Sequence, residues 1–79
     1  MVSVKLLGII NSIRKKKGEQ ELPEHSFTEH SSLRNDIGFD SLDLAELTVR
    51  IEDEFGIDIF EHGNVDTISE ILKRLGASE

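Results

Sequence analysis

The chain has no cysteine, no tryptophan and no tyrosine, and only one proline and one methionine in 79 residues. Without cysteine no disulfide braces the fold, and no thiolate serves metal or redox chemistry. Bases are also scarce: nine lysines and arginines stand against sixteen acids, for a net charge of -7. Such a chain is not drawn to nucleic acid or to anionic membranes, and it favours partners with basic surfaces. No apolar run is long enough to span a bilayer. Near the start, Arg14, Lys15, Lys16 and Lys17 follow the apolar residues instead of preceding them, and no small-residue cleavage site appears. That order is not the one a secretory signal has, and the expected location is the cytoplasm.

What is present is globular. Hydrophobic residues make up 37% of the chain and recur at ordered spacings, which is too many for an acidic disordered tail. The length allows one small domain, residues 1–79, with a thin core of marginal stability.

Residues 2–17 read as a helix. Val2, Leu6, Ile9 and Ile13 recur at spacings of three and four, and Leu7 and Ile10 widen the stripe. The four bases at its end complement the negative pole of the helix dipole, and Gly18 suits a stop. Residues 18–40 read as loop, with Leu22, Phe27, Leu33 and Ile37 as isolated apolar pins. A loop of that length in so small a domain is functional or well packed.

Residues 41–55 read as the second helix. Leu44, Leu47, Ile51 and Phe55 form its core stripe, Asp40 is a good N-cap, and Asp43 sits in the first turn. A second apolar set, Leu42, Ala45 and Val49, lies on another face. A short helix seldom has two such faces unless one is buried and the other is offered outward. The short run Ile57-Asp58-Ile59-Phe60 has no partner strand, and a turn or a short one-turn helix over about 59–63 is expected. Thr67-x-x-Glu70 is a capping-box pattern opening a last helix over about 67–75, with Ile68, Ile71, Leu72 and Leu75 on its apolar face and Gly76 as its stop. The fold class is therefore all-α: a small four-helix bundle of three main helices and one short one.

Most catalytic chemistry fails on inspection. His25, His30 and His62 lack helical i, i+4 spacing, so no metal site is expected. From Asn35 or Asp36 the oxygen ligands do not alternate as a calcium loop requires, and no glycine stands sixth. Gly38 alone is no phosphate loop. Ser41 lacks both a neighbouring base and the Gly-x-Ser-x-Gly elbow of a hydrolase. The many carboxylates lie on a helix surface, where nothing desolvates one of them for acid catalysis. No catalytic residue is assigned. Ser41 is instead well placed to carry a phosphate ester, because a helix start stabilises an anion.

The run Asp36-Ile37-Gly38-Phe39-Asp40-Ser41-Leu42-Asp43, followed by Glu46-Leu47 and by Ile51-Glu52-Asp53-Glu54-Phe55-Gly56-Ile57, resembles the acyl carrier proteins. Their mark is an Asp-Ser-Leu triplet after a glycine-bearing loop and before an acidic helix ending in Phe. The resemblance implies the acyl-carrier bundle and a 4'-phosphopantetheine arm on Ser41, transferred from coenzyme A by a phosphopantetheinyl transferase. It implies a non-catalytic, monomeric carrier of acyl thioesters in fatty-acid, polyketide or related lipid biosynthesis, serving acyl-transferring and condensing enzymes with basic docking surfaces. Asp40, Leu42, Asp43, Ala45, Glu46, Val49, Glu52 and Asp53 would form the dock, and Leu47, Ile51 and Ile68 would border the space that shelters an acyl chain. Four features depart from the pattern: Phe39 before the triplet, Arg50 within the acidic helix, the short 60–66 segment, and residues 18–35, which match only loosely. They bear on which enzymes are served. Two other readings stand beside this one: an aminoacyl or peptidyl carrier, and an unmodified acidic adaptor that binds a basic partner through residues 42–54.

Overall fold

A computed structural model describes residues 2–23, 28–61, 63 and 65–76. Three helices make up the frame: α1 (Val2–Lys16), α2 (Ser41–Phe55) and α3 (Ile68–Gly76). Among the described residues there is no β-strand, only one isolated antiparallel bridge between Ser32 and Thr67. The chain is all-α, and none of its described helices is long and apolar enough to cross a membrane.

The core is one cluster. Leu6, Ile10 and Ile13 of α1 meet Leu44, Leu47 and Ile51 of α2 and Ile68, Ile71 and Leu75 of α3. Ile9 and Phe55 are only partly buried at its margin. The stripe of α1 therefore centres on Ile10, which the spacing placed at its edge. Side-chain burial is not described for Val2, and Phe27 lies outside the described residues.

The long connection between α1 and α2 is a packed part of the bundle. Asn11 is buried and clamps it near its start, its amide donating to the Leu22 carbonyl (3.1 Å) and accepting from the Leu22 N–H (2.7 Å). Further on, Leu33, Ile37 and Phe39 enter the core. The Leu33 N–H donates to the Asp66 carbonyl (2.6 Å), and the Ile68 N–H donates to the Ser31 carbonyl (3.1 Å), so the loop is laced to the start of α3. The Ser32 hydroxyl donates to the Asp66 carboxylate (3.0 Å) and accepts from the Asn35 N–H (3.1 Å). Backbone groups that a loop leaves for water are satisfied here from within.

Of the turn and the short helix weighed for 59–63, the described residues show the turn and not the helix: Ile59, Phe60 and Glu61 form it, and His62 lies outside the described residues. Its hydrogen bonds are three-residue closures, Glu61 N–H to the Asp58 carbonyl and Gly63 N–H to the Phe60 carbonyl. Competing partners explain the loss of helical register. The Asp58 carboxylate takes the Phe60 N–H (3.0 Å), and Arg74 donates to the Ile59 and Gly63 carbonyls. Ile59 still fills the core, with no measurable exposure.

Candidate functional site

Four residues turn the loop into α2. Gly38 has φ +84, the left-handed region a side chain disfavours, and it reverses the chain. Phe39 drops into the core at 3% exposure and anchors the entry to the helix. Asp40 is then the N-cap, with extended backbone, and Ser41 is the first helical residue. The capping box is complete: the Asp43 N–H donates to the Asp40 carboxylate (2.9 Å), and the Asp40 N–H donates to that of Asp43 (3.0 Å). Ser41 is exposed, and its hydroxyl has no hydrogen-bond partner among the described residues.

A lysine that the sequence assigned to the end of α1 closes this corner. Lys17 Nζ pairs with Asp43 Oδ2 (2.6 Å), donates to the Gly38 carbonyl (2.9 Å), and lies 5.9 Å from the centre of the Phe39 ring. Burial alone would push the Asp43 carboxyl up, but the Lys17 and Asp40 hydrogen bonds outweigh it and hold the group below its ordinary value. The Asp43 hydrogen bond in turn raises the Lys17 ammonium. Asp43, expected in the docking set, is buried at 8% exposure and holds loop and helix together through Lys17.

The rest of the basic cluster latches α1 in the same way. Arg14 donates to the Gln20 and Ile37 carbonyls, Lys15 pairs with Glu21, and Lys16 reaches Glu46 at 2.9 Å. Glu46 is half-buried and is also gripped by Arg50, at 2.8 Å. The Lys16 hydrogen bond is the chief reason its carboxyl sits below the ordinary value. Arg50 therefore does not interrupt the acidic helix so much as pair within it, and it also bonds the Ser12 hydroxyl on α1 (2.9 Å).

The outward face of α2 carries the other expected docking residues. Leu42 is 80% exposed and Val49 66%, with Ala45 exposed between them. Asp40, Glu52 and Asp53 are exposed as well, and none of the three makes an ion pair among the described residues. A depression of about 420 Å³ lined by Val49, Arg50, Glu52 and Asp53 lies on this side.

A groove of about 230 Å³ opens at Ser41 itself, lined by Arg34, Ser41, Leu44, Ala45, Thr48 and Phe60. The residues expected to border an interior space for an acyl chain do not line this groove. Leu47, Ile51 and Ile68 have at most 1% exposure and lie in the closed core. Their helix positions point inward, whereas the groove runs along the flank of α2 toward the 59–61 turn. Arg34, Thr48 and Phe60 were not singled out in the sequence. A lone base in an aperiodic loop carries no positional signal, and Phe60 gains its place from a turn with no repeat to betray it.

Among the described residues no cluster of histidine and acid side chains could hold a metal, and His25 and His62 lie outside them. A family model described as a phosphopantetheine attachment site matches residues 5–75. That span runs from α1 through all but the last residue of α3 and includes the whole corner around residue 41.

Proposed function

Because the chain belongs to the phosphopantetheine attachment site family, whose domains receive a 4'-phosphopantetheine group and are generally non-catalytic carriers, we propose that it is an acyl carrier protein with the arm on Ser41. When bound, the arm supplies a terminal thiol on which acyl groups travel as thioesters. The observation that carries this reading is the Ser41 hydroxyl. It is exposed, it has no hydrogen-bond partner among the described residues, and it stands where a helix begins and a groove opens.

The chain's own residues hold that hydroxyl out. Asp40 and Asp43 tie the first turn of α2, Lys17 locks the turn onto α1, and Phe39 anchors the approach. A transferase then meets an oxygen in a fixed place, with its ordering cost already met by the fold. A phosphodiester there lies at the positive end of α2, a gain of about 0.3–1 kcal/mol for exposed charge. Lys17 cancels one of the two flanking carboxylates, so the site is less hostile to that charge than the string Asp-Ser-Leu-Asp suggests.

Clients would dock on the α2 face that carries Leu42, Ala45 and Val49, rimmed by Asp40, Glu46, Glu52 and Asp53. The acidic rim suits the transferase and acyl-processing enzymes with basic surfaces, and it speeds encounter more than it tightens it. The carrier works as a cytoplasmic monomer. Its cargo is acyl, as in fatty-acid, polyketide or related lipid synthesis, and the strong negative charge supports that over an aminoacyl or peptidyl cargo.

Intact mass after incubation with coenzyme A and a broad-range transferase tests the assignment. The chain should gain one phosphopantetheine group and Ser41→Ala none. A chain that stays unmodified, with a Ser41→Ala variant that still serves its pathway, would favour the unmodified adaptor.

A further inference from the structure

Four arginines occur in the sequence, and three are tied into the fold. Arg14 donates to the Gln20 and Ile37 carbonyls, Arg50 to Glu46 and Ser12, and Arg74 to the Ile59 and Gly63 carbonyls. Arg34 is different. It is exposed, and its guanidinium has neither a carboxylate nor a carbonyl partner among the described residues. The two acids that flank the groove in sequence are bonded to backbone: Asp36 accepts from the Ser32 N–H (2.7 Å) and Asp58 from the Phe60 N–H (3.0 Å).

Arg34 also lines the groove that opens at Ser41. Of the six lining residues it alone carries charge. Leu44, Ala45 and Phe60 are apolar, and the Thr48 hydroxyl donates to the Leu44 carbonyl at 2.8 Å. The groove therefore offers two hydroxyls, that of Thr48 already bonded to backbone, with one cation and an apolar wall. At about 230 Å³ it is smaller than the roughly 300–1,000 Å³ of a pocket for a drug-sized ligand, so it suits one end of a long group.

Resting on the reading of Ser41 as the attachment point, we infer that Arg34 is a positioning residue: its guanidinium holds the phosphodiester of the arm at the Ser41 end of this groove. A phosphodiester on Ser41 adds a negative charge beside Asp40, which makes no ion pair among the described residues. A guanidinium meets phosphate oxygens through two parallel N–H bonds, which a lysine does not reproduce. The ordinary alternative is an arginine that stays solvated. Exposed ion pairs contribute little to global stability, so the deciding readout is local.

The test compares the chain with Arg34→Gln and Arg34→Lys, each loaded by a broad-range transferase and verified by intact mass. The phosphorus-31 resonance of the phosphodiester and the Arg34 Nε–H resonance are recorded. In the wild type, loading should shift the Nε–H signal, and the phosphorus signal should stand apart from that of free phosphopantetheine. Arg34→Gln should move the phosphorus signal toward the free value, and Arg34→Lys should restore only part of the difference. The unloaded Arg34→Gln variant should melt with the wild type, since no partner among the described residues is lost. A phosphorus signal identical in wild type and Arg34→Gln, with an Nε–H signal indifferent to loading, overturns the assignment of Arg34 while leaving Ser41 in place. No mass gain on the wild type overturns both.

Discussion

α2 and α3 begin with the same device and end up with different jobs. At α2 the N-cap is Asp40 and its box partner is Asp43. At α3 Thr67 fills the first role, its hydroxyl accepting from the Glu70 N–H (3.3 Å), and Glu70 answers by accepting from the Thr67 N–H (3.1 Å). The Asp66 N–H also donates to the Glu70 carboxylate (3.1 Å), and it and then the Thr67 N–H hold that carboxyl below its ordinary value. The first helical residue then decides the outcome. In α3 it is Ile68, 1% exposed and part of the core. In α2 it is Ser41, exposed. Capping fixes where the helix starts, and the orientation of the first turn relative to the bundle decides whether that start is structural or available for chemistry.

Exchanging the character of these two positions should give the largest contrast. Ile68→Ala removes a buried side chain and should cost about 2–5 kcal/mol. A domain below about 80 residues has only roughly that much to lose, so denaturant melts should show it largely unfolded. Ser41→Ala should change stability by no more than about 0.5 kcal/mol. It should abolish phosphopantetheine transfer, read by intact mass. A stable Ile68→Ala, or a Ser41→Ala that unfolds, would erase the distinction.

The two caps also differ in their outside support. Asp43 pairs with a lysine across the fold, and among the described residues Glu70 bonds only within its own cap. Asp43→Ala should cost about 1 kcal/mol at neutral pH. The Asp43 carboxyl is depressed in the folded chain, so its contribution is present above 3.8 and fades as pH falls through the lower folded value. The Lys17 ammonium is raised, so the same pair stabilises below 10.5 and fades as pH rises through the higher folded value. Chemical melts of wild type and Asp43→Ala from acid to alkali should therefore differ most between these limits, converge in acid, and keep in alkali only the part due to the capping box, which needs no lysine.

Much of this frame was legible in the sequence. Leu44, Leu47 and Ile51 repeat at helical spacing, and Asp40 before an apolar periodic run marks a start, so α2 and the outward setting of Leu42, Ala45 and Val49 emerge from local pattern. Thr67 and Glu70 mark α3 in the same way. What the sequence hid depends on distant partners. Lys17 and Asp43 are far apart in the chain, so a first-turn carboxylate with ordinary dipole chemistry looked like an exposed handle. Ser32 gave no hint of a bridge to Thr67, because a single pair of residues has no periodicity. The turn at Ile59 depends on Asp58 and Arg74 capturing backbone groups that a helix would need. Arg34 became visible only once the groove existed.

Smaller effects sharpen the contrast further. Glu46→Lys reverses one charge on the rim of α2 and breaks its bonds to Lys16 and Arg50. It should slow loading several-fold while helicity by circular dichroism stays near wild type, because rim charges act chiefly on encounter. Unaltered loading kinetics would remove Glu46 from the dock. The smallest effect should come from salt. α2 carries Asp43, Glu46, Glu52, Asp53 and Glu54 against Arg50 alone, whereas α3 carries Glu70 against Lys73 and Arg74. Added salt should raise the melting temperature modestly by screening the excess acid, with amide exchange slowing more in α2 than in α3. A melting temperature indifferent to salt would mean that the latches from α1 already neutralise the acidic helix.

Peptide mapping of the loaded chain by tandem mass spectrometry tests the central claim most directly. The phosphopantetheine group should be found on the peptide containing Ser41, on that side chain alone. Finding it on another residue, or on none after complete reaction of a control carrier, would contradict the account.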